Sequence, residues 1–110
     1  MKIVPFIKLK GRTLLRPSYS KGELSKLGSK LSNKFESVYV ADLDGLEKNK
    51  PQLDVVQELC DEIPTLYEGG VRFGSNVIDL LVTGAEKAVI GTATLVSLEE
   101  LRGAFKLSDN

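Results

Sequence analysis

Residues 37–60 read Ser37-Val38-Tyr39-Val40-Ala41-Asp42-Leu43-Asp44-Gly45-Leu46-Glu47-Lys48-Asn49-Lys50-Pro51-Gln52-Leu53-Asp54-Val55-Val56-Gln57-Glu58-Leu59-Cys60. The first five have the length and β-branched or aromatic content of a strand. Leu53, Val56, Leu59 and Cys60 then recur at the three- or four-residue steps of a helix, with Pro51 suited to its first turn. One strand followed by one helix is the unit from which the rest of the chain is read.

The unit repeats on both sides. Three further runs have strand character: Ile3-Val4-Pro5-Phe6-Ile7, Ile63-Pro64-Thr65-Leu66-Tyr67 and Lys87-Ala88-Val89-Ile90-Gly91. Each is followed by an apolar stripe. After the first come Leu24, Leu27, Leu31 and Phe35, beside the lysines of a solvated outer face. After the third come Val77, Leu80 and Leu81, with Ser75 or Asn76 as a cap and Gly84 as the stop. After the fourth, Ser97-Leu98-Glu99-Glu100 is a capping-box sequence, and Leu98, Leu101 and Phe105 are predicted to line a buried face. Four β-α units in succession predict an α/β fold with a parallel sheet. The near-continuous apolar runs predict strands covered on both faces. Two architectures fit: an open sheet with helices on both sides, or four units curling into half a (βα)8 barrel.

Composition removes several functions. The 110 residues amount to one domain, 1–110. Lys+Arg and Asp+Glu are 15 each, so no global field favours a polyanion, and neither nucleic acid nor an acidic membrane is an expected partner. With His 0, imidazole bases and ligands are excluded. Cys 1 excludes an intrachain disulfide or a multi-thiolate metal site, and no cofactor is expected. No apolar run approaches the roughly 18 residues of a membrane span, so a soluble, cytoplasmic protein is expected.

The strand ends carry the chemistry. They read Pro5-Phe6-Ile7-Lys8-Leu9-Lys10-Gly11, Val40-Ala41-Asp42-Leu43-Asp44-Gly45, Tyr67-Glu68-Gly69-Gly70-Val71-Arg72 and Ile90-Gly91-Thr92-Ala93-Thr94-Leu95. In this order they resemble the (βα)8-barrel enzymes of histidine biosynthesis, the phosphoribosyl ribotide isomerase and its cyclase relative. Those have P-x-I-D-L-K-x-G, V-D-L-D-G, G-G-G-I-R and G-T segments at successive strand ends. The resemblance runs over about residues 3 to 105 and matches one half of such a barrel, most closely the N-terminal half. It implies a (βα)4 half-barrel.

A half-barrel leaves its first and fourth strands as open edges and its inner face, expected to carry Val4, Phe6, Val38 and Val40, in water. A homodimer, or a dimer of dimers, closing eight strands across an apolar interface of about 2,000 Å² or more would cover both. An open sheet with loop-capped edges is the alternative.

The resemblance also implies site residues. Gly69, Gly70, Arg72, Gly91 and Thr92 fall where the family holds a substrate phosphate; glycine lets backbone N–H groups approach an anion, and a threonine hydroxyl adds a donor. Glu68 replaces the first of three family glycines, and its charge repels a phosphate unless it turns away or pairs with Arg72 or Lys8. Lys8 stands where the family has its strand-one catalytic aspartate, so inherited isomerisation is not expected. Lys8 and Asp42 are the catalytic candidates, expected on one side of the sheet; pairing of Lys8 with Asp42 or Glu68 is the structural alternative. Asp42 with Asp44 is also weighed as a Mg²⁺ pair, against loop capping. Asn49 matches a loop position of the family, Tyr19 could line the mouth, and Cys60 reads as a small buried hydrophobe.

Three functions follow as expectations: a homodimer that binds a phosphorylated small molecule, an isomerase of histidine biosynthesis, or a non-catalytic assembly or regulatory partner.

Overall fold

The computed structural model describes residues 3–10, 13–14, 21–91 and 93–108. In chain order the elements are β1 (Phe6–Lys10), β2 (Thr13–Leu14), α1 (Lys21–Ser32), β3 (Val38–Asp42), α2 (Leu43–Lys48), α3 (Leu53–Cys60), β4 (Thr65–Glu68), α4 (Asn76–Val82), β5 (Lys87–Val89) and α5 (Glu99–Ser108). The sheet order is β2-β1-β3-β4-β5. β1, β3, β4 and β5 are parallel neighbours, and β2 runs antiparallel to β1. The four parallel strands thus advance across the sheet in chain order. Right-handed crossovers then place successive helices on the same face.

The core bears this out. Ile7 and Leu9 of β1, Val38 and Val40 of β3, and Tyr67 of β4 pack with Val55, Val56 and Leu59 of α3 and Leu80 of α4. Leu27 and Leu31 of α1 close one side of this cluster. The strand residues in between point the other way. The Phe6 and Tyr39 rings stack there at 5.1 Å, and Phe6 is 55% exposed.

Several expectations need correction. Among the described residues, the runs predicted to be covered on both faces are covered by helices on one. Val38 and Val40 were placed beside Phe6 on the inner face, but the register pairs Phe6 with Tyr39 and Ile7 with Val40. A shift of one residue moves a whole strand's side chains to the other face. The second unit has two helices: the segment after β3 turns at once into α2, and Asn49 ends it in the left-handed region at φ 56°. Pro51 precedes α3, whose N-cap is Gln52, rather than lying in its first turn. The edge of β1 is partly covered, because β2 pairs with Leu9 and Lys10.

The fourth helix departs most. Leu98, Leu101 and Phe105 were expected to be buried. Leu98 and Phe105 are each 70% exposed, and Ala104 is the buried residue of α5. Glu100 of the capping-box sequence accepts a hydrogen bond from the Gly74 amide at 2.6 Å instead. This bond seats α5 against the start of α4. Between α4, β5 and α5 lies an apolar cleft of about 440 Å³ lined by Val77, Leu81, Ala88, Ile90, Leu101 and Phe105. No helix of the described residues is long and apolar enough to cross a membrane.

Candidate functional site

Parallel strands all present their C-terminal ends to one rim, and the loops there gather the motif residues. Asp42 ends β3 on the helix-covered side, aligned with Leu9. It is wholly buried. Its Oδ1 accepts from the Gly45 amide at 3.1 Å, capping α2, and its Oδ2 accepts from the Gln52 amide and, at 2.7 Å, from the Tyr67 hydroxyl. Burial and the neighbouring carboxylate push the Tyr67 hydroxyl far above its ordinary range, which keeps it a donor. Asp42 therefore organises the rim from behind.

Lys8 aligns with Ala41, so it lies on the face opposite Asp42. The expectation that the two share a side is overturned by register: Asp42 follows the parity of Leu9, not of Lys8. Asp44 bonds the Gln52 side-chain amide at 2.7 Å, so it too serves the loop.

Gly69 and Gly70 serve a close approach of two loops. Gly70 has φ 77°, and a Cβ there would stand 2.3 Å from the Gly45 carbonyl oxygen. A Cβ on Gly45 would likewise meet the Gly69 carbonyl oxygen at 2.3 Å. Arg72 binds this junction together. Its guanidinium donates to the carbonyls of Gly45 at 2.6 Å, Leu46 at 2.8 Å and Gly70. Three carbonyls thus take the cation that the phosphate reading assigned to an anion. Asn76 accepts from the Arg72 and Phe73 amides, at 3.1 and 3.0 Å, and so shapes the loop rather than capping α4. The loop after β5 is tied in as well: the Thr94 hydroxyl donates to the Val71 carbonyl at 2.8 Å, and the Val96 amide to the Arg72 carbonyl at 2.9 Å. Thr92 and Tyr19 lie outside the described residues. Asn49, Pro51, Gly69, Gly70, Asn76 and Asp79 line a cleft of about 240 Å³ behind this rim.

The open face carries a different group. The Tyr39 hydroxyl donates to Glu68 Oε1 at 2.8 Å. Desolvation, then the hydrogen bond and charge of Glu68, push the Tyr39 hydroxyl up to about 12. Glu68 Oε2 lies toward Gly91, 2.9 Å from where a Cβ on that residue would begin. Lys8 Nζ lies 5.8 Å from the centre of the Phe6 ring, a cation–π distance. Among the described residues neither Asp42 nor Glu68 forms an ion pair with Lys8; Lys10 reaches Glu47 at 3.8 Å. Sequence reasoning missed Tyr39. Its signal was alternation along β3, which places it two residues from Ala41 on the face of Lys8. Cys60 is half-buried, and desolvation pushes its thiol up, away from a nucleophile's range.

Sequential parallel strands, helices on one face and glycine-bearing strand ends on one rim define the class: an α/β half-barrel. The chain belongs to the histidine biosynthesis protein family, whose sequence profile matches residues 16–109. It is 32% identical over 120 aligned positions to the 1-(5-phosphoribosyl)-5-((5-phosphoribosylamino)methylideneamino) imidazole-4-carboxamide isomerase of Thermococcus onnurineus, covering 100% of this chain and 51% of that protein. It is 36% identical over 85 positions to the isomerase of the same name from Bacillus mycoides, covering 74% of this chain and 33% of that one. The chain thus spans about half the length, or less, of these curated relatives.

Proposed function

We propose that this chain binds a phosphorylated, ribotide- or sugar-phosphate-like metabolite at the C-terminal ends of its parallel strands, in a mouth completed when a second copy closes the barrel. The observation that supports this best is the bare sheet face. Phe6, Lys8, Tyr39 and Glu68 share it, and among the described residues no helix covers it. The edges fit closure too. Among the described residues β5 has a neighbour on one side only, and β2 pairs with β1 at Leu9 and Lys10 but not from Phe6 to Lys8. α5 supports the same reading in the outer layer. Its exposed Leu101 and Phe105, with Leu98 just before it, would cover the first unit of the second copy, as a helix in a closed barrel covers the next strand.

Lys8 supplies the positive charge on this face, at the rim where the strand ends carry their glycines. Arg72 holds that rim in shape. Two measurements test the proposal. Light scattering behind size exclusion should give twice the 12.0 kDa chain mass. Calorimetry should show ribose 5-phosphate binding that weakens in Lys8→Ala. A stable dilute monomer, or no heat with phosphate, ribose 5-phosphate or the relatives' bisphosphorylated substrate, would overturn it.

A second reading is favoured by the names of the relatives: isomerisation of the phosphoribosyl ribotide in histidine biosynthesis. Growth of an isomerase-deficient strain on this chain would establish it. The expected result is no growth, because position 8 offers an ammonium where the resemblance calls for a carboxylate, and Asp42 is buried on the other side of the sheet. Turnover gained by Lys8→Asp would mark a scaffold that lacks only that group.

A further inference from the structure

The open face holds a row of unlike charges. The register aligns Lys8 with Ala41 and Ala41 with Glu68. Lys8 and Glu68 therefore stand two strand spacings apart, roughly 10 Å between their Cα positions. Ala41, between them, adds only a methyl group. The two charges are held separately. Lys8 leans over the Phe6 ring, and Tyr39, stacked on Phe6, fixes one oxygen of Glu68 by a hydrogen bond of 2.8 Å. The other oxygen is turned toward Gly91 at the rim. A second phosphate at the Gly91 end of the row would meet this carboxylate and be repelled. A protonated amine there would gain a charge-assisted hydrogen bond.

We propose that this row is a two-pole site for a metabolite carrying a phosphate at one end and a protonated amine at the other, with Lys8 taking the phosphate and Glu68, oriented by Tyr39, taking the amine. This rests on the phosphorylated-ligand reading above and adds its second functional group. Lys8 and Glu68 are binding residues here, and Tyr39 is a positioning residue that acts through Glu68.

The test is calorimetry at neutral pH with glucosamine 6-phosphate and glucose 6-phosphate, which differ by an amine in place of a hydroxyl. The chain is expected to bind the amino sugar about tenfold or more tightly, the size of one hydrogen bond to a charged group. Glu68→Gln should remove the preference for the amino sugar. Glu68→Asp should keep part of it, which guards against a folding artefact. Tyr39→Phe should reduce the preference without abolishing it. Lys8→Ala should weaken both ligands together. Equal affinities for the two sugars would overturn the two-pole site and leave the phosphorylated-ligand reading standing, as would a preference that survives Glu68→Gln. Binding of neither would overturn both.

Discussion

Two carboxylates lie on neighbouring strands, one residue apart in register and on opposite sides of the sheet, and they have been put to different uses. Asp42, on the helix side, is wholly buried and accepts from two backbone amides and the Tyr67 hydroxyl. Glu68, on the bare side, is partly exposed and held by Tyr39. Both pair with a tyrosine. The difference lies in what surrounds the pair. Where helices cover the strand, every lone pair must find a partner within the chain. Where no helix among the described residues covers it, one oxygen remains turned to the rim. A carboxylate at a strand end is thus a structural or a functional group according to which side of the pleat it falls on.

The largest expected effect breaks this contrast directly. Asp42→Ala removes an N-cap, worth about 1 kcal/mol, and leaves a buried hydroxyl and a buried amide unpaired, at roughly 1–3 kcal/mol each. A loss of about 3–7 kcal/mol should appear in denaturant unfolding, much of the stability of a domain this size. Glu68→Ala should change stability by no more than about 1 kcal/mol, since one part-exposed hydrogen bond is lost. Comparable losses at both positions would mean that the bare side is as structural as the covered one.

Next in size is assembly. Phe6→Glu puts a charge on the apolar floor of the bare face, and a buried unpaired charge costs several kcal/mol. The variant is expected to elute as the 12.0 kDa chain where the parent elutes at twice that mass. The isolated chain should keep its fold by circular dichroism, because Phe6 contributes nothing to the helix-side core. Phe105→Glu should weaken the dimer through the outer layer. If neither variant changes the mass, some other surface holds the copies together.

A smaller pair of effects separates a glycine the rim requires from one it does not. Gly70→Ala meets both a positive φ and the Gly45 carbonyl, and should cost about 1–3 kcal/mol. Gly103 lies within α5, and a Cβ there meets nothing within 4 Å. Gly103→Ala should stabilise by up to about 1 kcal/mol through helix propensity. Thermal unfolding of the two variants, shifting in opposite directions, is the expected result.

How much of this was legible in the sequence follows from the same two faces. The order of strands and helices was readable because it depends on local periodicity, which neighbouring residues carry. Parity was not. Val38 and Val40 look as suited to an inner face as Tyr39 and Ala41, and only the cross-strand register with β1 decides between them. The stripe Leu98, Leu101, Phe105 announced that α5 has an apolar face, but not that the chain leaves it open. Asp42 was found by motif, yet the same motif serves an N-cap. Glu68 was noticed as a charge in a glycine position. Its tyrosine was not, because the contact joins residues 29 positions apart.

The smallest effect tests the Tyr39–Glu68 pair alone. The Tyr39 hydroxyl is raised from 10.0 to about 12, by desolvation first and by Glu68 second. Below pH 10 it is protonated in the folded and the unfolded chain, and its hydrogen bond contributes in full. Between pH 10 and about 12 the unfolded chain releases the proton while the folded chain holds it. Stability must then fall as pH rises, and this contribution is gone once the folded group ionises too. Tyr67 is raised as well and adds to the same slope. Comparison with Tyr39→Phe isolates the pair, since Tyr67 is common to both proteins. At neutral pH the variant should lose about 0.5–1.5 kcal/mol, at the lower end because the pair is only partly buried. From pH 10 upward its denaturation midpoint should fall less steeply than the parent's. Parallel curves would show that Glu68 does not hold the Tyr39 proton, and that the bare face lacks the fixed carboxylate on which its contrast with Asp42 depends.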